Sequence, residues 1–214
     1  IVVTPRKQPD LEKAGRLYST HCASCHGVEG FGDGPAGKDM EPPPINFHDV
    51  DRYRQRTLYG LYNTITQGVA DTGMKSYQQL SDDDRWSLAF YVGGLAVVAE
   101  DVEIRNSPLL DITQLTTTTP DQAMDLHGAN GDKVMAYLRL HPEALYNNPA
   151  GLAYSRQRLN DALNAYKNND HNMAYQYAVE AYLDGFELVE QNINAYDTSL
   201  RLEIETDMTG LRNR

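Results

Sequence analysis

The feature that most constrains this chain is that both of its cysteines lie in one five-residue segment, Cys22-Ala23-Ser24-Cys25-His26. Two neighbouring cysteines cannot supply the disulfide framework that holds many small secreted domains together, so the fold depends on a hydrophobic core. Just upstream, residues 9–21 place apolar side chains at helical spacing. We therefore predict an amphipathic helix that leads directly into the cysteine segment.

The cysteine segment has a specific chemical interpretation. Two thiols three residues apart match the two vinyl groups of a haem, and thioether bonds to both would place the next histidine over the iron. A thioredoxin-type site is typically preceded by a strand, whereas a helix is predicted here. A zinc site needs four ligands, and the sequence has no second cysteine pair. Against these alternatives and a chance pair of buried cysteines, we predict one covalent haem c on Cys22 and Cys25, with His26 as axial ligand.

Composition limits the class of protein. The chain has 214 residues, of which 41% are hydrophobic and 23% charged, and these fractions are typical of a folded protein. The formal net charge of −11 argues against a nucleic-acid partner, which requires clustered positive charge. The longest apolar stretch, residues 89–99, is too short to span a bilayer. No signal peptide precedes Ile1, so we expect either a mature exported chain or one made without a leader.

Helical periodicity and capping signals predict an all-α fold in two parts. Helices are expected over residues 9–21, 57–68, 81–96, 131–140, 151–168, 172–191 and 197–213. Ser81 is a predicted N-cap, and so is Thr119 with Pro120 at the first helical position. The sequence between the two parts shows little periodicity. We therefore divide the chain into a haem domain (1–100), a connector (101–122) and an antiparallel helical domain (123–214).

Residues 9–99 resemble bacterial class I cytochromes c. The resemblance is carried by the segments GRLY before CASCHG, then GDGPAG, PPPINF, TGMKSY and LSDDDRWSLAFYV. It implies the class I fold, in which the first and last helices cross, so Tyr18 is expected to meet Leu88 and Tyr91. It also implies an exported, periplasmic protein, because bacterial haem ligation takes place there.

The same resemblance implies further site residues. In this family a proline carbonyl accepts the ring N–H of the proximal histidine, and Pro35 is the expected counterpart here, with Pro44 as the alternative. Tyr62 is expected to line the haem pocket.

A class I haem also needs a distal ligand shortly before the last helix. Met74 lies in a loop between the helices predicted at 57–68 and 81–96, and a thioether ligand favours reduced iron. Met40 and His48 are rival ligands, and Met74 has the alternative interpretation of a core residue. We favour Met74 because Met40 follows His26 too closely and His48 lies in a proline-stiffened segment.

The second half carries another resemblance. Residues 130–214, with the segment AYLDGFELVE, resemble the periplasmic part of fusion proteins that join a cytochrome c to an Ftr-type iron permease. This implies that a membrane permease is the partner and that the helical domain docks to it or handles its metal.

Acidic residues recur at helical spacing in this half. They would form a second site for iron or another cation if two helices met face to face, and the alternative is a solvated acidic face. The candidate ligands are Asp184, Glu187, Glu190, Glu203 and Asp207.

These observations lead to three expectations about function. The first is a periplasmic electron-transfer cytochrome whose helical domain serves an iron-uptake permease. The second is a cytochrome subunit of a respiratory or photosynthetic membrane complex, with the helical half as an attachment arm. The third, catalysis at the haem, ranks last because Met74 would close the open coordination position. We therefore expect an electron carrier with a redox partner protein rather than an enzyme with its own substrate.

Overall fold

The structure, a computed structural model, describes residues 4–104, 107–128, 130–146 and 149–212. Helices and irregular segments make up this described part of the chain, which contains no strand. The predicted fold class is therefore confirmed as all-α. The chain divides into two compact units, one ending at Glu143 and the other beginning at Ala144.

Most helices of the first unit begin at a residue whose side chain caps them. The helices are α1 (Leu11–His21), α2 (Ala23–His26), α3 (Val50–Arg54), α4 (Leu58–Gln67), α5 (Asp82–Gly94), α6 (Ile112–Thr117), α7 (Pro120–His127) and α8 (Gly131–Leu140), with 3-10 turns at Pro35–Gly37 and Pro108–Leu110. The helices α2 and α8 are the exceptions. The Ser81 side chain accepts from the backbone N–H of Asp84, and Thr119 and Gln122 form a reciprocal capping box. Both predicted N-caps are confirmed.

The core of the first unit lies where α1 and α4 pack against α5. The completely buried side chains there are mostly large and apolar, and burying each of the large ones contributes roughly 1.5–3 kcal/mol. They include Ala14, Leu58, Trp86, Ala89 and Phe90, all with no exposed surface.

The first unit extends beyond the predicted haem domain. The segment expected to be a connector folds into a 3-10 turn and α6, and it buries Leu109, Leu110, Ile112 and Leu115. α8 packs against α5. The boundary between the units therefore lies after residue 143 and not between residues 100 and 123. The short apolar clusters of this segment lack a long helical period, which is why the sequence resembled a linker.

The second unit is built from longer helices. They are α10 (Pro149–Lys167), α11 (His171–Ala181), α12 (Glu187–Tyr196) and α13 (Thr198–Arg212), and the short helix α9 (Glu143–Tyr146) lies at the unit boundary. A π-helical turn, Tyr182–Phe186, joins α11 to α12 within what the sequence predicted as one helix. Ala181, Phe186, Val189 and Met208 form a small core.

Candidate functional site

The two cysteines lie on one helical turn. The backbone N–H groups of Cys25 and His26 both donate to the carbonyl of Cys22, at 3.1 and 2.9 Å, and this closes the short helix α2. Both thiols are free and half-buried. Burial, together with the neighbouring Cys25, raises the pKa of the Cys22 thiol to about 11, so that thiol is protonated at neutral pH. The spacing places both sulfur atoms within one turn of the helix, as thioether bonds to one haem require.

The orientation of the His26 ring is fixed by a backbone carbonyl. Its Nδ1 lies 3.2 Å from the carbonyl oxygen of Ile45. Burial lowers the pKa of the ring, with partial opposition from this hydrogen bond, so the imidazole is neutral at physiological pH. A carbonyl only accepts, so Nδ1 carries the proton and Nε2 keeps a lone pair for a metal. This donor set fits a haem iron.

The carbonyl partner of His26 corrects the sequence-based expectation, which named Pro35 or Pro44. The Pro44 carbonyl is directed at Gly32 instead, 2.6 Å from the position that a Cβ there would take. Pro35 begins a 3-10 turn. Ile45 was missed because any residue can offer a carbonyl, so residue type alone gives no signal for this role.

The glycine-rich loop after His26 folds back onto the cysteine turn. The N–H of Gly32 donates to the carbonyl of His26 at 2.8 Å, and the N–H of Gly34 donates to that of Cys25 at 3.1 Å. A Cβ on Gly34 would lie 2.5 Å from the Ser24 carbonyl oxygen, so only glycine fits this close approach. The loop therefore stabilises the turn that carries both thiols.

Aromatic side chains pack around His26. The ring of Phe47 stacks on the imidazole, with centroids 4.8 Å apart. Tyr18 packs against Phe47 and against Tyr91 of α5, which confirms the expected contact between the first and last helices. The Tyr18 hydroxyl donates to the carbonyl of Gly27 at 2.8 Å. Burial, followed by smaller contributions from nearby groups, raises the Tyr18 pKa, so the hydroxyl stays a donor.

Tyr62 was expected in the haem pocket, and in the structure its side chain packs against α5. Its ring stacks on Trp86 with centroids 4.3 Å apart, and the Arg85 guanidinium lies 5.3 Å from the ring centroid. The hydroxyl donates to Asp82 at 2.5 Å. These contacts tie α4 to α5, and contact of Tyr62 with haem stays a prediction.

Met74 lies in a closely hydrogen-bonded loop between α4 and α5. Its carbonyl accepts from the N–H of Val69 at 2.9 Å, and its own N–H donates to the Thr72 hydroxyl at 3.1 Å. The Thr72 hydroxyl in turn donates to the Val69 carbonyl at 2.9 Å. The Met74 side chain is half-buried.

The rival distal ligands occupy different places. The Met40 sulfur packs against the same loop, 2.6 Å from the position that a Cβ on Gly73 would take. His48 contacts the glycine-rich loop that follows His26. Its Nε2 is 2.7 Å from the carbonyl of Glu29, and its ring stacks on Phe31.

The acidic residues of the second unit do not gather around a common point. No group of three or more His, Cys, Asp or Glu side chains suited to a metal occurs in the described part of the chain. Glu190 is bound to Arg201 at 2.8 Å, and the same guanidinium nitrogen binds Glu205 at 2.7 Å. The other candidate ligands, Asp184, Glu187, Glu203 and Asp207, are exposed.

Comparison with known proteins identifies one domain within the first unit. Residues 11–96 match the family model described as cytochrome c. Residues 11–96 are a cytochrome c domain. Membership of this family implies a covalent haem c, with which Cys22 and Cys25 agree, and suggests an electron-transfer haem protein with a redox partner. The cytochrome c domain thus ends well before the first unit does.

The search of curated proteins finds no match for this sequence. Among solved structures, the chain is similar to one from the Kuenenia stuttgartiensis reducing HAO-like protein complex Kustc0457/Kustc0458, with 23% identity and a TM-score of 0.37. The match covers 61% of this chain and 66% of that one, so it spans slightly less than two thirds of that protein. None of the described helices is both long and apolar enough to cross a membrane.

Proposed function

We propose that this chain is a one-electron carrier whose single haem c is attached to Cys22 and Cys25, with His26 as proximal and Met74 as distal ligand. The observation that carries the proposal is the buried His26 ring, whose Nδ1 is bound to the Ile45 carbonyl and whose pKa is lowered by burial. That arrangement leaves Nε2 as the coordinating atom.

The haem supplies the Fe(III)/Fe(II) couple when bound. The chain holds the side chains that would attach the haem and coordinate its iron. The Ile45 carbonyl and the Phe47 ring hold the imidazole, because one bonds Nδ1 and the other stacks on the ring. The glycine loop holds the thiol-bearing turn. A thioether from Met74 would fill the second axial position and favour reduced iron, which suits electron transfer without bond-making at the metal.

The ligand assignment is tested by the sulfur-to-iron charge-transfer band at the red edge of the oxidised spectrum. Met74→Ala is expected to abolish the band and lower the reduction potential. Met40→Ala is the matched control, because it removes the other thioether next to the loop and is expected to keep the band. Persistence of the band in Met74→Ala, or its loss in Met40→Ala, would overturn the assignment of Met74.

We also propose an exported, periplasmic location, supported by the covalent attachment that the cysteine turn implies. Fractionation of cells that express the complete gene gives the test. A haem-stained protein in the periplasmic or membrane fraction supports export, and an attached haem in the cytoplasmic fraction contradicts it.

The proposed partner is a membrane iron permease, and its support is the sequence resemblance of residues 130–214. The acidic residues are not required for this role, since docking needs no metal site. Crosslinking in cells, followed by mass spectrometry of adducts on residues 149–212, distinguishes the partners. A permease adduct supports the proposal, and an adduct with a respiratory or photosynthetic subunit supports the attachment-arm alternative instead.

A further inference from the structure

One side chain joins the loop that contains Met74 (residues 68–80, the Met74 loop) to the turn that carries both cysteines (residues 22–26, the cysteine turn). The hydroxyl of Tyr77 donates to the carbonyl oxygen of His21 at 2.8 Å, and the two rings meet edge to face with centroids 6.1 Å apart. His21 is the last residue of α1 and directly precedes Cys22. Tyr77 is 7% exposed. Burial is the main cause that raises its pKa, and the nearby thiols of Cys22 and Cys25 add to the effect.

The other hydrogen bonds that anchor the loop are made to α4. The N–H of Tyr77 donates to the carbonyl of Ile65 at 3.0 Å, and the Ser76 hydroxyl donates to that of Thr66 at 2.7 Å. Within the described part of the chain, the hydrogen bond from the Tyr77 hydroxyl is the one that connects residues 68–80 to the end of α1. The loop is therefore closed on one side by α4 and on the other side by this hydroxyl.

We propose that Tyr77 is a positioning residue that holds the Met74 loop against the haem-attachment turn, so that its hydroxyl governs how readily Met74 yields to another iron ligand. The inference rests on the proposed ligation by Met74. Tyr77 is three residues from Met74, and its far end is fixed beside Cys22. Withdrawal of Met74 moves the loop away from the turn and breaks the bond to His21, whereas the anchors on α4 persist.

The inference is tested by titrating the oxidised haem-loaded protein with imidazole and following the charge-transfer band. Tyr77→Phe keeps the buried ring and removes only the hydroxyl. Because this neutral hydrogen bond is present only in the Met74-bound form, its removal is expected to strengthen apparent imidazole binding about fivefold. Tyr53→Phe is the matched control, because the buried Tyr53 hydroxyl has no hydrogen-bond partner in the described structure. Imidazole affinity is expected to stay at the wild-type value in that control.

The outcomes separate a positioning role from a purely structural one. A hydroxyl that merely stabilises the fold would lower the denaturant midpoint of Tyr77→Phe and leave imidazole affinity unchanged, and that result would overturn the inference. An equal increase of affinity in Tyr53→Phe would do the same, since it would show a general loosening. Absence of the band from the wild-type protein would overturn both this inference and ligation by Met74. An intact wild-type band with unchanged affinity in Tyr77→Phe would overturn this inference alone.

Discussion

Arg139 donates from Nη2 to the carbonyl oxygen of Arg56 at 2.8 Å, and through this bond a helix outside the cytochrome c domain is joined to that domain. Its Nη1 donates to the carbonyl of Gly93 at 3.3 Å, in the last turn of α5, where a positive charge is favourable. The guanidinium also lies over the Tyr53 ring. The side chain has no exposed surface, and no described ion pair includes it. Burial lowers the pKa of Arg139, with partial opposition from Tyr53.

Replacement of Arg139 should therefore destabilise the haem-bearing unit. Arg139→Ala leaves the Gly93 and Arg56 carbonyl oxygens without this donor and opens a cavity, with an expected loss of about 3 kcal/mol in unfolding free energy. Arg139→Met keeps much of the volume and removes a buried charge, so its loss is expected to be smaller. Denaturant unfolding followed at the haem absorption band measures both. Arg6→Ala, at an exposed position, is the control. Unchanged stability in Arg139→Ala would show that α8 is dispensable to this unit.

The helix caps could be predicted from the sequence, whereas the role of Arg139 could not. Ser81 and Thr119 act on backbone groups three residues away, so their roles follow from local sequence. Arg139 acts on carbonyls 83 and 46 residues away along the chain. Its residue type predicts an exposed side chain, and only the tertiary fold determines otherwise.

The same distinction applies within the site. Cys22, Cys25 and His26 lie within five residues of each other, so haem attachment could be predicted from their residue types and spacing. Ile45 acts through its backbone, and Tyr77 acts through a contact 56 residues away. Neither role leaves a local pattern.

Phe47→Leu is expected to change the orientation of His26, the proposed axial ligand, without releasing the haem. The ring stacks on His26, and loss of an aromatic pair costs about 0.5–1.5 kcal/mol beyond the area buried. Electron paramagnetic resonance of the oxidised protein measures the orientation of the imidazole. Phe31→Leu is the matched control, because Phe31 stacks on His48 in the same way but is exposed. A resonance spectrum identical to wild type in Phe47→Leu would mean that the Ile45 carbonyl alone fixes the ring.

The ion pair between Lys13 and Asp84, which joins α1 to α5, predicts a pH-dependent term in stability. Burial raises the pKa of the Asp84 carboxyl, but bonds from Lys13 and Ser81 outweigh it and hold the pKa below its ordinary value. The stabilisation is therefore present above the ordinary pKa of about 4 and is lost as the pH falls through the folded-state value.

Asp84→Asn tests this term. A partly exposed pair of this kind contributes up to about 1 kcal/mol, so the variant is expected to be less stable by that amount from pH 7 to pH 5. The difference should shrink below pH of about 4, where the wild-type carboxyl also loses its charge. Urea midpoints measured across this range give the profile, with Asp39→Asn as an exposed control. A difference that stays constant down to the lowest pH would exclude the carboxylate charge as its cause.

In the second unit, the π-helical turn brings Gly185 against Ser155 of α10. The Ser155 hydroxyl donates to the carbonyl of Ala181, and a Cβ on Gly185 would lie 2.9 Å from the Ser155 Cβ. Gly185→Ala is therefore expected to destabilise this unit by about 2 kcal/mol through overpacking. Gly210→Ala is the matched control, because Gly210 is exposed in α13 with nothing near its Cβ position, so alanine should stabilise by about 0.5–1 kcal/mol. Hydrogen exchange of the α11 and α12 amides measures both. Equal, favourable effects of the two alanines would mean that α10 does not pack this closely on the π turn.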